Sequence, residues 1–281
     1  MSSTEEQTSV SSCCITGHIH QGTPEGSFRD LYGLRTYVSN SRSPSGGEKQ
    51  DVCLLLSDVF GADFVNTQLV ADEWARRGWK VILPDVFQGD PIDVSNIQAI
   101  MPNLRHKAET PLLQKTGETV QAGGVYAPWL YRHRETVSRP MIEKYVQDLR
   151  NDPSTGKVAA IGYCWGARYC MLLAQETSPV KVDVAIANHP SFLTQGDVEL
   201  ITSIPCGIFK GDVDDIMSDS QLDAIEEILR PKLGDKLFIK RYHNAVHGFA
   251  VRGDMEDGTE KEQKEDVNKV SMDFVAKHFA A

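Results

Sequence analysis

A cysteine stands where its surroundings could make it a nucleophile. Cys164 lies in GYCWGARY, at the centre of a Gly-x-Cys-x-Gly frame formed by Gly162 and Gly166. The run KVAAIGY before it predicts a strand and the residues after it predict a helix, which places Cys164 at the turn between them. In open α/β folds such a turn lies at the carboxyl edge of the sheet, where ligands bind. Glycines are expected where a Cβ would collide with the adjacent strand or helix.

The chemistry available to Cys164 depends on its partners. A free thiol has a pKa of ~8.5, so it needs a base to react at neutral pH. A helix that begins just after Cys164 would favour a thiolate and a developing oxyanion. The alternative is a small buried residue in a tight turn, since free cysteines are among the most buried residue types. An acid and a base further along the chain would favour the nucleophile.

Two such residues follow predicted strands in the expected order. Asp214 lies in GDVDD after the strand CGIFK, and His247 lies in NAVHGF after the strand KLFIKRYH. The order cysteine, acid, histidine is that of α/β-hydrolase triads. The acid would orient the imidazole and stabilise its charged form. The alternatives that stay open at these two positions are Asp212, Asp215, His243 and His189.

The pattern of elements predicts an α/β fold with a mostly parallel central sheet and helices on both faces, because short β-branched runs alternate with helical patterns from residue 50 onward. A first unit runs from VCLLLS through a helix that ends at Gly78 to KVILPD. A later helix is predicted in SDSQLDAIEEILRP, with Ser218 or Asp219 as its N-cap and Pro231 at its end. A closing helix is predicted from about residue 259 to residue 279. The further predicted strands are KVAAIGY, VDVAIAN, CGIFKGD and KLFIKRYH.

The chain is effectively one domain by this interpretation. Residues 1–50 are expected to form a tail and a hairpin or strand that packs on the main domain, residues 51–281. Residues 88–135 interrupt the alternation with prolines and aromatics, which is typical of a cap or binding loop near the active site.

These motifs resemble one known family. GYCWGARY, GDVDD and YHNAVHGF, preceded by SDVFGAD and LPDVFQGD, are similar to the dienelactone hydrolases, also called carboxymethylenebutenolidases. The N-terminal CCITGHIHQGTPEG resembles the fungal members. The resemblance implies a single α/β-hydrolase domain and a triad of Cys164, Asp214 and His247. Such a triad cleaves lactones or small carboxylic esters through a thioester.

The resemblance also implies roles around the thiol. Family members place an acidic residue after the first core strand, usually a glutamate, whose carboxylate holds the resting thiol. The matching residue here is Asp58, one methylene shorter, with local turn hydrogen bonds as the alternative role. The backbone N–H groups of Val59 and Trp165 are the implied oxyanion donors.

Family members that act on dienelactone bind its carboxylate with arginines. Arg252 follows the histidine, one position later than in bacterial members, and is the first candidate for substrate binding. Arg132 and Arg134 in the 88–135 segment are further candidates. Each could instead be an ordinary surface arginine.

Composition limits the partners. The 281 residues are 41% apolar and 24% charged, typical of a globular protein, and the net charge of −10 disfavours nucleic acid. No run approaches the roughly 18 apolar residues that a membrane span needs. A small-molecule lactone or ester is the expected partner, with the chain as a monomer or homodimer. Because the N-terminus has no apolar leader, a cytoplasmic location is expected, with the six cysteines reduced.

No cofactor is expected. A metal site formed by Cys13, Cys14, His18 and His20 is disfavoured, because adjacent cysteines give poor tetrahedral geometry. The main rival to an enzyme is a non-catalytic protein that binds a ligand or partner on a hydrolase scaffold. Glutamine amidotransfer is disfavoured, because those enzymes carry a glutamate two residues after the histidine, where this chain has Phe249.

Overall fold

The computed structural model describes residues 18–40, 49–96 and 124–280. Its centre is one eight-stranded sheet. In chain order the strands are β1 (Ser27–Leu31), β2 (Leu34–Ser39), β3 (Gln50–Leu56), β4 (Lys80–Pro84), β5 (Thr155–Tyr163), β6 (Val184–Asn188), β7 (Cys206–Gly211) and β8 (Leu237–Tyr242).

The sheet is mostly parallel. Its strand order is β1-β2-β4-β3-β5-β6-β7-β8, and strands β3 to β8 run parallel to one another. Strands β6 and β7 are buried along their whole length, which explains their continuous apolar sequences. The expected α/β architecture is therefore confirmed, and the carboxyl ends of the parallel strands meet at one edge.

Helices connect these strands and cover the sheet. They are α1 (Val65–Ala75), α2 (Glu135–Asn151), α3 (Trp165–Leu173), α4 (Gln195–Val198), α5 (Asp219–Leu233), α6 (Phe249–Arg252) and α7 (Gly258–Ala280). Short 3₁₀ turns lie at Val94–Asn96 and Gly234–Lys236, and residues 124–132 are also helical. Among the helices of the described ranges, none has the length and apolar character that crossing a bilayer requires.

Helix α5 begins at one of its two predicted N-caps and ends later than predicted. Its N-cap is Ser218, whose hydroxyl accepts from the N–H of Gln221, while the Gln221 side chain accepts from the N–H of Ser218. This reciprocal capping excludes Asp219 as the cap. The predicted end at Pro231 is wrong, because the helix continues to Leu233. Burial of Leu233 on the apolar face keeps the last turn in place.

The hairpin of β1 and β2 extends the main sheet. Strand β2 pairs antiparallel with β4, with Thr36 opposite Pro84. Buried Tyr37 donates from its hydroxyl to Asp72 of α1, at 2.9 Å. The described part of the N-terminal 50 residues thus packs on the main domain. The tail at residues 1–17, with Cys13 and Cys14, lies outside the described residues, as do residues 97–123 of the 88–135 segment.

The turn from β5 into α3 requires its two glycines. A Cβ at Gly162 would collide with the backbone of Ala167, and a Cβ at Gly166 would collide with the carbonyl of Leu56 at the end of β3. Both obstacles are main-chain atoms, which cannot rotate away as a flexible side chain would. The expectation from the Gly-x-Cys-x-Gly frame is confirmed.

Replacing Gly166 with alanine is therefore expected to lower the free energy of unfolding by about 1 to 3 kcal/mol, the usual cost of overpacking a core. Urea denaturation at neutral pH measures the change. The matched control is Gly258→Ala at the start of α7, where an added Cβ meets open space. Equal stability of the two variants would contradict the close approach of α3 to β3.

Candidate active site

Cys164 sits in a backbone conformation that residues with a Cβ rarely adopt, with φ 53° and ψ −111°. Hydrogen bonds from two directions hold it there. Its N–H donates to the carbonyl of Asn188, and its carbonyl accepts from the N–H groups of Ala167 and Ser191, at 3.0, 3.3 and 3.0 Å respectively. The turn therefore fixes the thiol between the start of α3 and the loop after β6.

Asp214 and His247 meet at the same edge of the sheet. His247 Nδ1 lies 2.8 Å from Asp214 Oδ2, and the side chains are 4% and 0% exposed. Since a carboxylate only accepts, Nδ1 is the donor. The other Asp214 oxygen accepts from the N–H groups of Ile216 and Met217. Burial would raise the pKa of Asp214, but His247 and these two donors more than offset it, and the pKa is lowered.

His247 is held towards its charged form. Burial alone would lower its pKa, but Asp214 and the Cys164 thiolate raise it to about 10. Because this value exceeds the ordinary 6.5, the charged imidazole stabilises the fold fully below about pH 6.5. That contribution is lost as the pH rises towards 10. His247 in this site therefore binds a proton more tightly than an ordinary histidine does.

Ser191 contacts both the thiol and the imidazole, and it is not among the residues predicted from the sequence. Its Oγ is 3.2 Å from Cys164 Sγ and 3.3 Å from His247 Nε2. The available signal was its place in NHPS, just after the strand ending at Asn188 and so at the same sheet edge. Asp214, His247, Ser191 and Cys164 form one continuous chain of hydrogen bonds.

Among the described residues, no hydrogen bond joins the other candidate acids and bases to Cys164, Ser191 or His247. His243 is exposed and pairs through Nδ1 with Asp212, while Asp215 is exposed. His189 is fully buried, and burial, His247 and Arg252 lower its pKa, so it is neutral. Its ring packs edge-on against His247, with centroids 5.0 Å apart. Asp214 and His247 are thus the acid and the histidine joined to Cys164.

Comparison with known proteins identifies the family of the chain. A sequence model of the dienelactone hydrolase family matches residues 34–279, which is most of the chain. The chain belongs to the dienelactone hydrolase family. As a member of this family, it is a carboxylic ester hydrolase, an enzyme that hydrolyses lactones or other esters.

Fungal relatives of the family match nearly the whole chain. The hydrolase tropI of Talaromyces stipitatus is 30% identical over 250 residues, covering 88% of each chain. Dienlactone hydrolase 1 of Gibberella moniliformis is 26% identical, covering 90% of this chain and 88% of the relative.

Solved structures share the fold. A dienelactone hydrolase-like promiscuous phosphotriesterase from metagenomic libraries has a TM-score of 0.59 at 17% identity, covering 90% of this chain and 96% of that chain. A thermophilic esterase from the planctomycete Thermogutta terrifontis has a TM-score of 0.57 at 11% identity, covering 88% and 91%. These similarities show a common α/β-hydrolase fold.

Asp58, at the position of the family's thiol-holding acid, has other partners. Its Oδ1 accepts from the N–H of Phe60 at 3.0 Å, and its Oδ2 lies 3.3 Å from Arg252 Nη1. Among the described residues, no hydrogen bond joins Asp58 to Cys164. Burial raises the pKa of Asp58, against the lowering effects of Arg252 and Phe60. The structure therefore has the local turn hydrogen bond that was the alternative role, and Ser191 contacts the thiol instead.

The two backbone N–H groups expected to bind the oxyanion are free. Within the described ranges, neither the Val59 N–H nor the Trp165 N–H donates to a protein acceptor. The loop that carries Val59 is tied down, because its carbonyl accepts from the N–H of Ile92 and the Ser57 carbonyl accepts from the N–H of Gly166. Trp165 directly follows Cys164, and the loop that carries Val59 is joined to the turn at Gly166.

The candidate substrate arginines differ in their surroundings. Arg252 is buried beside Asp58, with its guanidinium 5.3 Å from the centre of the Phe60 ring. Its Nη2 has no hydrogen-bond acceptor in the described part of the chain. Arg132 is half exposed and pairs with Asp90, and Arg134 donates to the carbonyl of Tyr131. No described contact joins either of them to the triad, and their role in substrate binding stays a prediction.

Aromatic side chains surround the nucleophile turn. Tyr126, in the helical segment 124–132, packs parallel to Trp129, and Trp129 packs against Trp165. Burial, with a smaller contribution from the charge interaction with Cys164, raises the pKa of Tyr126, so its phenol is neutral. This described part of the 88–135 segment therefore packs against Trp165, the residue after Cys164.

The N-terminal histidines make protein contacts. His18 Nε2 lies 3.2 Å from Asp254, and His20 Nε2 lies 2.8 Å from the carbonyl of Gly253. In residues 18–40, 49–96 and 124–280, no group of three or more metal-binding side chains is found.

The Asp214→Asn variant is expected to lower the pKa of His247 by at least about one unit, because it removes the carboxylate that stabilises the imidazolium. Histidine NMR titration measures this shift. Asp212→Asn is the matched control, since its partner His243 is exposed and outside the site. An unchanged His247 pKa in Asp214→Asn would exclude Asp214 as the orienting acid.

Proposed function

We propose that the protein hydrolyses lactones or small carboxylic esters through a covalent thioester on Cys164, with His247 as the base and Asp214 as its orienting acid. The observation that carries this proposal is the hydrogen-bond chain from Asp214 through His247 and Ser191 to the Cys164 thiol. Buried acid, histidine and nucleophile in one line are what general-base activation of a weak nucleophile needs.

The reaction has two halves. The Cys164 proton passes to His247 while the sulfur attacks the carbonyl carbon, and the collapsing intermediate expels the alcohol oxygen, which takes the proton from His247. In a lactone this oxygen stays attached to the acyl chain. Water then attacks the thioester with His247 as base, releasing a carboxylic acid, or a hydroxy acid from a lactone, and restoring the thiol.

The transition states of both halves carry negative charge on the former carbonyl oxygen. The free N–H groups of Val59 and Trp165 are the donors for it in this proposal. Trp165 is the first residue of α3, so the positive end of the helix dipole adds to its effect. Losing one such donor typically costs about 10² to 10³ in turnover.

A negatively charged substrate group would find a donor in Arg252. Its guanidinium is buried, only one nitrogen faces Asp58, and Nη2 is free among the described residues. Arg132 and Arg134 are engaged on the surface and are secondary candidates. This ranking predicts that substitution of Arg252 lowers the rate of hydrolysis of a carboxylate-bearing ester more than that of a neutral ester.

Cys164→Ala is expected to reduce hydrolysis of p-nitrophenyl acetate or a small lactone at least about 10³-fold, because the nucleophile and the thioester are both lost. The matched control is Cys206→Ala, another fully buried free cysteine, whose pKa is raised by burial and which lies on β7. Hydrolysis by Cys164→Ala at the wild-type rate would refute the assignment.

Alkylation separates the enzyme from a non-catalytic scaffold protein. Iodoacetamide is expected to modify Cys164 in the folded protein faster than Cys53, Cys170 and Cys206, because burial raises the pKa of those three thiols. Peptide mass spectrometry assigns the modified residue. A Cys164 as inert as the other three would favour the scaffold interpretation.

A further inference from the structure

We propose that Ser191 relays the proton between the Cys164 thiol and His247 and donates the hydrogen bond that holds the thiolate. The proposal rests on the proposed function, because it takes Cys164 as the nucleophile. It adds Ser191 as a fourth member to the triad, and the Ser191 hydroxyl is then the group that contacts the resting thiol.

The position of Ser191 carries the inference. Its Oγ is within hydrogen-bond distance of both Cys164 Sγ, at 3.2 Å, and His247 Nε2, at 3.3 Å. All three residues are buried, with exposures of 1%, 0% and 8% for Ser191, Cys164 and His247. A hydroxyl both donates and accepts, so it can serve both neighbours at once.

The hydrogen-bond chain has two balanced forms. With a neutral thiol and imidazole, the S–H of Cys164 donates to Ser191 Oγ, whose O–H donates to His247 Nε2. Transfer moves the thiol proton to Ser191 Oγ while the original Ser191 proton moves to Nε2. The product is a thiolate and an imidazolium. Nε2–H then donates to Ser191, which donates to the thiolate. In both forms, Ser191 therefore keeps its hydrogen bonds to Cys164 and to His247.

The backbone holds Ser191 in register with the nucleophile. Its N–H donates to the Cys164 carbonyl at 3.0 Å, so the two side chains are anchored to each other. The residues on either side of the Pro190–Ser191 pair, His189 and Phe192, both have positive φ, of 36° and 60°. Strained backbone of this kind clusters at functional sites, where surrounding structure enforces it.

The other ionisable groups around the thiol do not replace this contact. Asp58 and Arg252 pair with each other, His189 is neutral, and Tyr126 is a neutral phenol whose own pKa is raised. His247 also interacts with Cys164 directly, because a side-chain hydrogen bond and a charge interaction with Cys164 both help to raise the pKa of His247. Two proton routes therefore compete, one direct and one through Ser191, and removal of the hydroxyl distinguishes them.

The first experiment follows iodoacetamide alkylation of Cys164 as a function of pH in wild type and Ser191→Ala. Loss of a hydrogen bond to a charged sulfur is expected to move the midpoint of the profile up by about one to two pH units. Ser191→Thr keeps a hydroxyl and is expected to restore the wild-type midpoint. An unchanged midpoint in Ser191→Ala would overturn the proposal.

The second experiment compares kcat/KM for p-nitrophenyl acetate. Ser191→Ala is expected to lose about 10- to 100-fold, the equivalent of one charge-assisted hydrogen bond, with recovery in Ser191→Thr. The matched control is Ser271→Ala, a buried serine on α7 whose hydroxyl has no partner among the described residues. Thermal unfolding midpoints verify that each variant is folded. Equal loss in Ser191→Ala and Ser191→Thr, with no shift of the alkylation profile, would indicate a purely structural role.

These results are separable from a failure of the proposed function. Alkylation reports the contact between Ser191 and the thiol whether or not Cys164 performs hydrolysis. If Cys164→Ala hydrolyses esters at the wild-type rate, the proposed function fails. If Cys164→Ala is inactive while Ser191→Ala matches wild type in both measurements, the relay alone fails.

Discussion

The site depends on the strained backbone of Cys164. A residue with a Cβ at φ 53° costs of order 1–3 kcal/mol, and the surrounding structure must supply that energy. Here it comes from hydrogen bonds to Asn188, Ser191 and Ala167, and from the N–H of Gly166 donating to the carbonyl of Ser57. These bonds join the carboxyl ends of β3, β5 and β6. One strained residue therefore fixes the thiol, Ser191 and the two free N–H groups relative to one another.

Two buried carboxylates sit beside this turn, and their surroundings give them opposite pKa shifts. Asp214 receives His247 at 2.8 Å and two backbone N–H groups, so its pKa is lowered despite burial. Asp58 receives one N–H and an arginine at 3.3 Å, and burial outweighs them. The number of hydrogen-bond donors and their distances from the carboxylate decide whether its pKa is lowered or raised. As a result, the carboxylate whose pKa is lowered is the one that contacts His247.

The sequence predicted those parts of the site that follow from strand ends. The meeting of Asp214 and His247 could be predicted because each follows an apolar run at the carboxyl edge of a parallel sheet. Ser191 could not, because its contact depends on the register of β6 against β5, which sets Asn188 beside Tyr163. The length of α5 past Pro231 depends on burial of Leu233, a tertiary effect. The partner of Asp58 likewise depends on the packing of Arg252, far away in the chain.

The position of Arg252 determines the partners of Asp58. Asp58 pairs with Arg252, while Ser191 contacts the Cys164 thiol. Gly248 caps α6 at φ 90°, and any Cβ there would collide with the Arg252 guanidinium. The absent side chain lets Arg252 turn inward over Phe60 and reach Asp58. An aspartate is long enough to bind this arginine and the N–H two residues ahead, and among the described residues Asp58 makes no hydrogen bond to Cys164. The thiol instead contacts the hydroxyl of Ser191, in the loop after β6.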